Sequence, residues 1–248
     1  MRSVISMMWC LSFAAGTGLA SGLGAQATPT GLLDRAIRAA GGAENLARFP
    51  ALQWRAHATV HVPGRDISLI GLWRIAPPDS AVVATYEKSV GPSSTRRLIL
   101  AGDRGWSERD GNTEPLPLAV VTEERGQFYL YDLIRLLPLR DHEVQLYRAS
   151  PDSAGHEGLK VLRPGRQEAT LYFGSDDRLV RIRTMLAPVA DAPPMAEELT
   201  LSGTMQAGGL RWFRRLSITR DGQPFFEMEL TSFEPLPRLG DSRLAGPP

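Results

Sequence analysis

The chain has 248 residues, 43% of them hydrophobic, with 28 Lys and Arg against 27 Asp and Glu and a single cysteine. Balanced charge excludes the basic patch of a nucleic-acid binder, and one cysteine excludes a disulfide framework. A chain this long buries enough surface to fold without cross-links, and one single-core domain is the natural count.

Residues 1–27 stand apart. Arg2 gives a positive start, Val4 to Ala20 form a mostly apolar stretch, and Ala25-Gln26-Ala27 is a small-x-small cleavage site, the pattern of a secretory signal peptide. The stretch is short and Gly-rich beside the roughly 20 residues of a spanning helix. Cys10 follows bulky Trp9 within it and makes a poor lipid-attachment site. The expected organisation is a cleaved signal over 1–27, one domain over 28–235 and an irregular C-terminal tail over 236–248.

The first expected element after the signal is a helix. Thr30 caps it, Leu32, Leu33, Ala36, Ile37 and Ala40 recur at helical spacing, and Gly41-Gly42 supplies a left-handed stop. A short turn over Ala43 to Phe49 ends at Pro50, and the period then changes to two. Leu52 to Val62 sets Leu52, Trp54, Ala56, Ala58, Val60 and Val62 on one face. Further strands are expected over Ile67 to Ile75, Ala81 to Lys88 and Arg96 to Ala101, followed by turn residues and a Pro-rich passage. Between Gln127 and Leu137 the spacing is helical again, with Phe128, Tyr131, Ile134 and Leu137 near one face and Pro138 as the break. The remaining strands are His142 to Arg148, Leu159 to Arg163, Glu168 to Phe173, Leu179 to Leu186 and Glu197 to Gln206, with an exposed Pro- and Ala-rich loop over Pro188 to Pro194. Arg211 to Thr219 and Phe225 to Phe233 close the domain as a hairpin about Asp221-Gly222, a strong turn signal. On strict alternation Trp212, Arg214, Leu216 and Ile218 share one face of that hairpin, with Phe213 on the other.

The fold class this predicts is α+β, mainly β: a strongly curved antiparallel sheet, an incomplete barrel, with helices covering its concave side. Short strings then become recognisable. Gly71 to Pro78 (GLWRIAPP), Leu98 to Trp106 (LILAGDRGW) and Glu168 to Leu186 (EATLYFGSDDRLVRIRTML), in that order and with an apolar helix between the second and third, resemble elements of the LolA-like periplasmic lipoprotein carriers, the outer-membrane lipoprotein-sorting family. The resemblance spans most of Ala51 to Pro235. It implies helices over the mouth of an incomplete barrel, a hydrophobic cavity that receives acyl chains, a periplasmic location, and a lipid or acylated protein as partner, with an envelope protein as a further one. Such carriers have an Arg directly before the Pro of the Leu-Trp strand; here Ala76 stands there, with Arg74 two positions earlier.

Catalytic chemistry finds little support. His57 and His61 lie about 13 Å apart on a strand, too far to share a metal, and no metal or other cofactor is expected. No Gly-x-Ser-x-Gly nucleophile turn and no phosphate-cradling loop occur. The paired acids flank turns or strand starts, where solvation explains them. The aromatic residues carry more: Trp54, Trp73, Trp106 and Trp212 fall on or beside strands and can line a cavity, with Phe128, Tyr131 and Ile134 contributed by the second helix. Arg74, Arg96, Arg97 and Arg214 are candidates to hold an anionic head group at a rim. The reading is a monomeric, non-enzymatic carrier or chaperone with a ligand-binding set of Trp54, Trp73, Arg74, Trp106, Phe128, Tyr131, Ile134 and Trp212. The alternative is a scaffold or accessory domain whose interior is filled by its own side chains.

Overall fold

The computed structural model describes residues 28–186 and 193–240. The expected signal and its cleavage site, residues 187–192 of the Pro-rich loop and residues 241–248 of the tail lie outside the described residues.

Two helices come first, α1 (Pro29–Ala39) and α2 (Ala43–Arg48). Thr28, rather than Thr30, caps α1: its hydroxyl accepts the Gly31 N–H at 3.0 Å. Pro29 has no N–H to give and suits the first helical position, so the cap falls on the residue before it. Six strands follow: β1 (Ala51–Val62), β2 (Arg65–Ala76), β3 (Ser80–Glu87), β4 (Arg96–Ala101), β5 (Arg104–Arg109) and β6 (Asn112–Pro115). Helix α3 (Leu118–Ile134) leads to β7 (Gln145–Ala149), β8 (Glu157–Leu162), β9 (Ala169–Phe173), β10 (Leu179–Leu186), β11 (Met195–Ser202), β12 (Met205–Ala207), β13 (Leu210–Trp212), β14 (Arg215–Arg220) and β15 (Gln223–Leu236).

Thirteen strands form one antiparallel sheet in the order β6-β5-β4-β3-β2-β1-β15-β14-β11-β10-β9-β8-β7, and β12 and β13 form a separate pair. Strand β15 is the seam: it pairs with β1 on one side and β14 on the other, joining the N-terminal and C-terminal halves. Asp221 and Gly222 both take positive φ at the β14–β15 turn, the conformation an Asp-Gly hairpin calls for.

The sheet is curved and does not close. Val121 and Gly126 lie five residues apart on α3, about 7.5 Å along its axis. A Cβ on Gly105 of β5 would lie 3.1 Å from Val121, and one on Gly126 would lie 3.9 Å from Leu186 of β10. Those strands stand eight places apart in the sheet, roughly 38 Å if it were flat. Only a sheet that curls around the helix lets both touch it. Register shifts at Arg55/Ala56, Leu179/Arg181 and Ile218/Thr219 add local bends.

Helix α3 therefore bridges the open side, carrying the chain from edge strand β6 to edge strand β7. Asp79, just before β3, accepts hydrogen bonds from Arg125 of α3 (2.9 Å) and Arg166 of the β8–β9 loop (3.2 Å), tying the two flanks together through the helix. The helix starts nine residues before the expected Gln127, because polar Thr122 to Arg125 obscure the apolar period in its first turns. It ends at Ile134, with Leu136 at φ 62, and the chain continues into a short 3-10 helix over Leu137–Arg140, whose first turn accommodates Pro138.

Candidate functional site

The buried face of the sheet meets α1 and α3 around one indole. Trp54 is fully buried on β1 and pairs directly with Trp73 of β2 and Phe233 of β15. Its ring stacks on Trp73 with centroids 6.4 Å apart and planes 8° from parallel. Tyr131 of α3 lies at 5.4 Å, Trp212 at 6.4 Å and Phe213 at 6.5 Å. Trp212 in turn stacks on Phe233 at 5.7 Å, and Phe128 lies 5.9 Å from Tyr131. Such pairs each add roughly 0.5–1.5 kcal/mol beyond area burial, so this aromatic wall is the rigid centre of the interior.

The long strand expected over Arg211 to Thr219 is broken. Phe213 and Arg214 leave the ladder, the Arg214 N–H donating to the Ser202 carbonyl (3.0 Å) and its carbonyl accepting from the Leu230 N–H (2.8 Å). A regular strand turns only alternate residues inward. The kink lets adjacent Trp212 and Phe213 both face the core, which corrects the expected placing of Phe213 on the opposite face, and it turns Arg214 outward to Glu229 (3.2 Å). Likewise Glu197 to Gln206 is two strands, with Gly203 at φ 63 between them.

A cleft opens on each side of the aromatic wall. The α3-side cleft, about 250 Å³, has Trp73, Phe128, Tyr131, Leu199, Ile218 and Phe226 as its apolar lining. Glu123, Glu124, Gln127 and Arg220 provide its polar edge. Glu197 is fully buried behind that edge, accepting from Gln127 Nε2 (3.0 Å) and Arg220 Nε (2.9 Å). Burial pushes the Glu124 carboxyl above its ordinary range, with neighbouring Glu123 adding and Arg96 and Arg220 opposing. Burial also pushes the Tyr131 phenol up, and Glu124 and Glu197 add to it. The α1-side cleft, about 240 Å³, lies between Ala36 and Ala40 of α1, Ile134, Leu136, Leu201, Trp212 and Phe213. Its wall is held where Gly41 meets the Gly209 carbonyl so closely that a Cβ would collide, and where Arg211 N–H donates to the Ala40 carbonyl at 2.9 Å.

Of the residues singled out from sequence, Trp54, Trp73, Phe128, Tyr131, Ile134 and Trp212 come together at this wall and its clefts. Arg74 and Trp106 do not. Arg74 alternates with buried Trp73 and Ile75, so it lies on the other face of the sheet. Trp106 follows Gly105, whose missing Cβ points inward at Leu100 and Val121, and its ring sits outside under Arg104 at 5.4 Å. Arg97 is committed to Glu108 (2.8 Å), and Arg96 donates to Ser107 (3.3 Å). Sequence reasoning missed Phe213, Phe233 and the Gln127–Glu197–Arg220 group. The adjacent aromatics of Trp212-Phe213, at odds with simple alternation, were the available signal for the first.

Among the described residues no cluster of three or more metal-ligating side chains occurs, and no helix is long and apolar enough to cross a membrane. No family model matches the sequence, and no curated protein does either. Solved structures do. A LolA superfamily protein from Nitrosomonas europaea aligns with TM-score 0.57 at 14% identity, over 86% of this chain and 96% of its own. A putative outer membrane lipoprotein-sorting protein domain from Vibrio parahaemolyticus gives 0.54 at 8% identity, over 86% and 97%. A DUF1329 family protein from Desulfovibrio piger gives 0.54 at 9%, over 88% and 97%. The chain has the LolA-like fold.

Proposed function

We propose that this protein is an exported, non-enzymatic carrier or chaperone that holds an acyl chain or another lipid-like guest in the clefts between its curved sheet and helices α1 and α3. It works in the periplasm once residues 1–27 are removed, as a monomer that takes its guest from a lipid or an acylated protein, with an envelope protein as a further partner. The observation that carries this reading is the pair of apolar clefts on either side of one aromatic wall, both opening beneath helices rather than within the sheet. The fold shared with a lipoprotein-sorting domain agrees with it.

Capture would be driven by burial. At roughly 25 cal/mol per Å², covering a few hundred Å² of acyl surface supplies several kcal/mol, which leaves reversible, micromolar-scale binding after association costs. Release would come from movement of α3. The Asp79–Arg125 tie that pins its first turns to the sheet is half exposed, and such pairs contribute roughly 0–1 kcal/mol.

A scaffold reading has one observation in its favour. Each cleft falls below the roughly 300 Å³ of an ordinary ligand pocket, and Trp54, Tyr131 and Phe213 fill the space between them. Native mass spectrometry of protein purified from an envelope extract separates the two. The carrier reading expects co-purified lipid or uptake of added fatty acid; apo protein only, with an unfolding temperature unmoved by added fatty acid, would support the scaffold.

A further inference from the structure

The two clefts share a wall but carry opposite charge. At the lip of the α3-side cleft two carboxylates, Glu123 and Glu124, face one cation, Arg220, which is itself paired with the Glu197 carboxylate buried behind it. At the lip of the α1-side cleft two cations, Arg178 and Arg211, face one carboxylate, Asp176. Arg178 is fixed there: its guanidinium donates to the Gly203 carbonyl at 2.8 Å and only approaches Asp176 at 3.9 Å. Asp177, next in the chain, is taken by Arg35 at 2.7 Å. Arg211 extends from the exposed side of β13 with its backbone anchored on Ala40, and it makes no ion pair among the described residues. The same cleft is also lined by the apolar side chains of Leu201, Trp212, Phe213, Ile134 and Leu136.

We propose that the α1-side cleft takes the tail of a single-chain anionic amphiphile, of the fatty-carboxylate type, with its carboxylate held between Arg178 and Arg211, and that the α3-side cleft rejects such a ligand. The proposal rests on the carrier reading and adds to it the charge of the guest's polar end and the end of the interior it enters. Guanidinium forks match a carboxylate in shape as well as charge. A cleft of about 240 Å³ suits one chain rather than a paired one.

The experiment titrates the purified protein with terminally brominated twelve-carbon carboxylate, alcohol and amine, reading the quenching of tryptophan emission. The carboxylate is expected to bind about tenfold more tightly than the alcohol, the equivalent of about 1.4 kcal/mol, and the amine more weakly than either. Arg211→Glu should abolish that preference and Arg211→Lys should retain most of it. Trp212→Phe should remove the largest share of the quenching, while Trp106→Phe, on the outer face, should leave the absolute loss of emission on binding as it was. Equal affinity for carboxylate and alcohol, a preference untouched by Arg211→Glu, or quenching undiminished in Trp212→Phe would each overturn the proposal while leaving the carrier reading standing. Failure of all three compounds to bind would overturn the carrier reading and this inference with it.

Discussion

Trp54 is the block between the two clefts, and Trp54→Ala is the perturbation that tests that role most sharply. Removing a fully buried indole from a core costs about 3–5 kcal/mol. Here four aromatic partners within 6.5 Å lose their central contact, which argues for the upper part of that range. The Trp54 Nε1–H, however, is buried without a partner, and deleting an unsatisfied donor returns roughly 1–3 kcal/mol. The net expectation is a loss of about 3 kcal/mol, a fall in unfolding temperature of about 6–12 °C for a domain this size. The vacated space joins the two clefts, and the combined volume passes the roughly 300 Å³ lower bound of an ordinary ligand pocket. An acyl guest at a hundredfold excess over its Kd stabilises by about 2.7 kcal/mol. Thermal unfolding with and without a twelve-carbon alcohol should therefore show the variant much less stable than wild type when empty, and gaining more from the ligand than wild type does. A variant within about 1 kcal/mol of wild type, or one that gains no more from the ligand, refutes the reasoning.

Three further outcomes are expected. A carboxyl whose pKa is raised by folding loses stability as pH climbs from its unfolded value, near ~4.3, through its folded one. Glu124→Gln should thus unfold at a higher temperature than wild type at pH 7, with the gap closing below about pH 4; an equal gap at both would contradict the burial account. Burial alone would raise the Asp152 carboxyl, but the His156 ring and the backbone N–H groups of His156 and Ala154 hold it at about 2, so its contribution is present above the unfolded value near ~3.9 and fades as pH falls toward 2. Denaturant titrations should find Asp152→Asn weaker than wild type at pH 6 and level with it near pH 2, and a deficit that persists at pH 2 would count against this. Finally, Gly41→Ala should cost at least about 2 kcal/mol, since its φ of 121° is left-handed and its Cβ would meet the Gly209 carbonyl; Gly42→Ala, with open space around it, should cost less, and the reverse order in unfolding temperature would show that α1 does not dock on the β12–β13 pair as described.

Much of this architecture was legible in the chain. Period-two runs, the Asp221-Gly222 turn and the Gly41-Gly42 stop located most of the long elements, and with them the inward placing of Trp54, Trp73 and Trp212. Strands β5 and β6 were not legible, because Arg104 to Arg109 and Asn112 to Pro115 carry few apolar residues and are held by their ladder partners. The Trp212-Phe213 kink was hidden for a different reason: its stabilising partners, Ser202 and Leu230, lie in other strands. Trp106 and Arg74 were placed in the ligand-binding set by residue type, as a lining ring and a rim cation, whereas their facing is decided by the parity of Gly105 and Trp73. The charge at the cleft lips was also out of reach, since Arg178 and Arg211 lie 33 positions apart and meet only through the fold.

The most direct test is a crystal structure of the protein grown with a brominated twelve-carbon amphiphile, with bromine located by anomalous scattering. The account predicts a bromine peak beneath the helices, within contact of Trp212 or Trp73. An interior without bromine at saturating ligand, with peaks only on the outer face of the sheet, would contradict it.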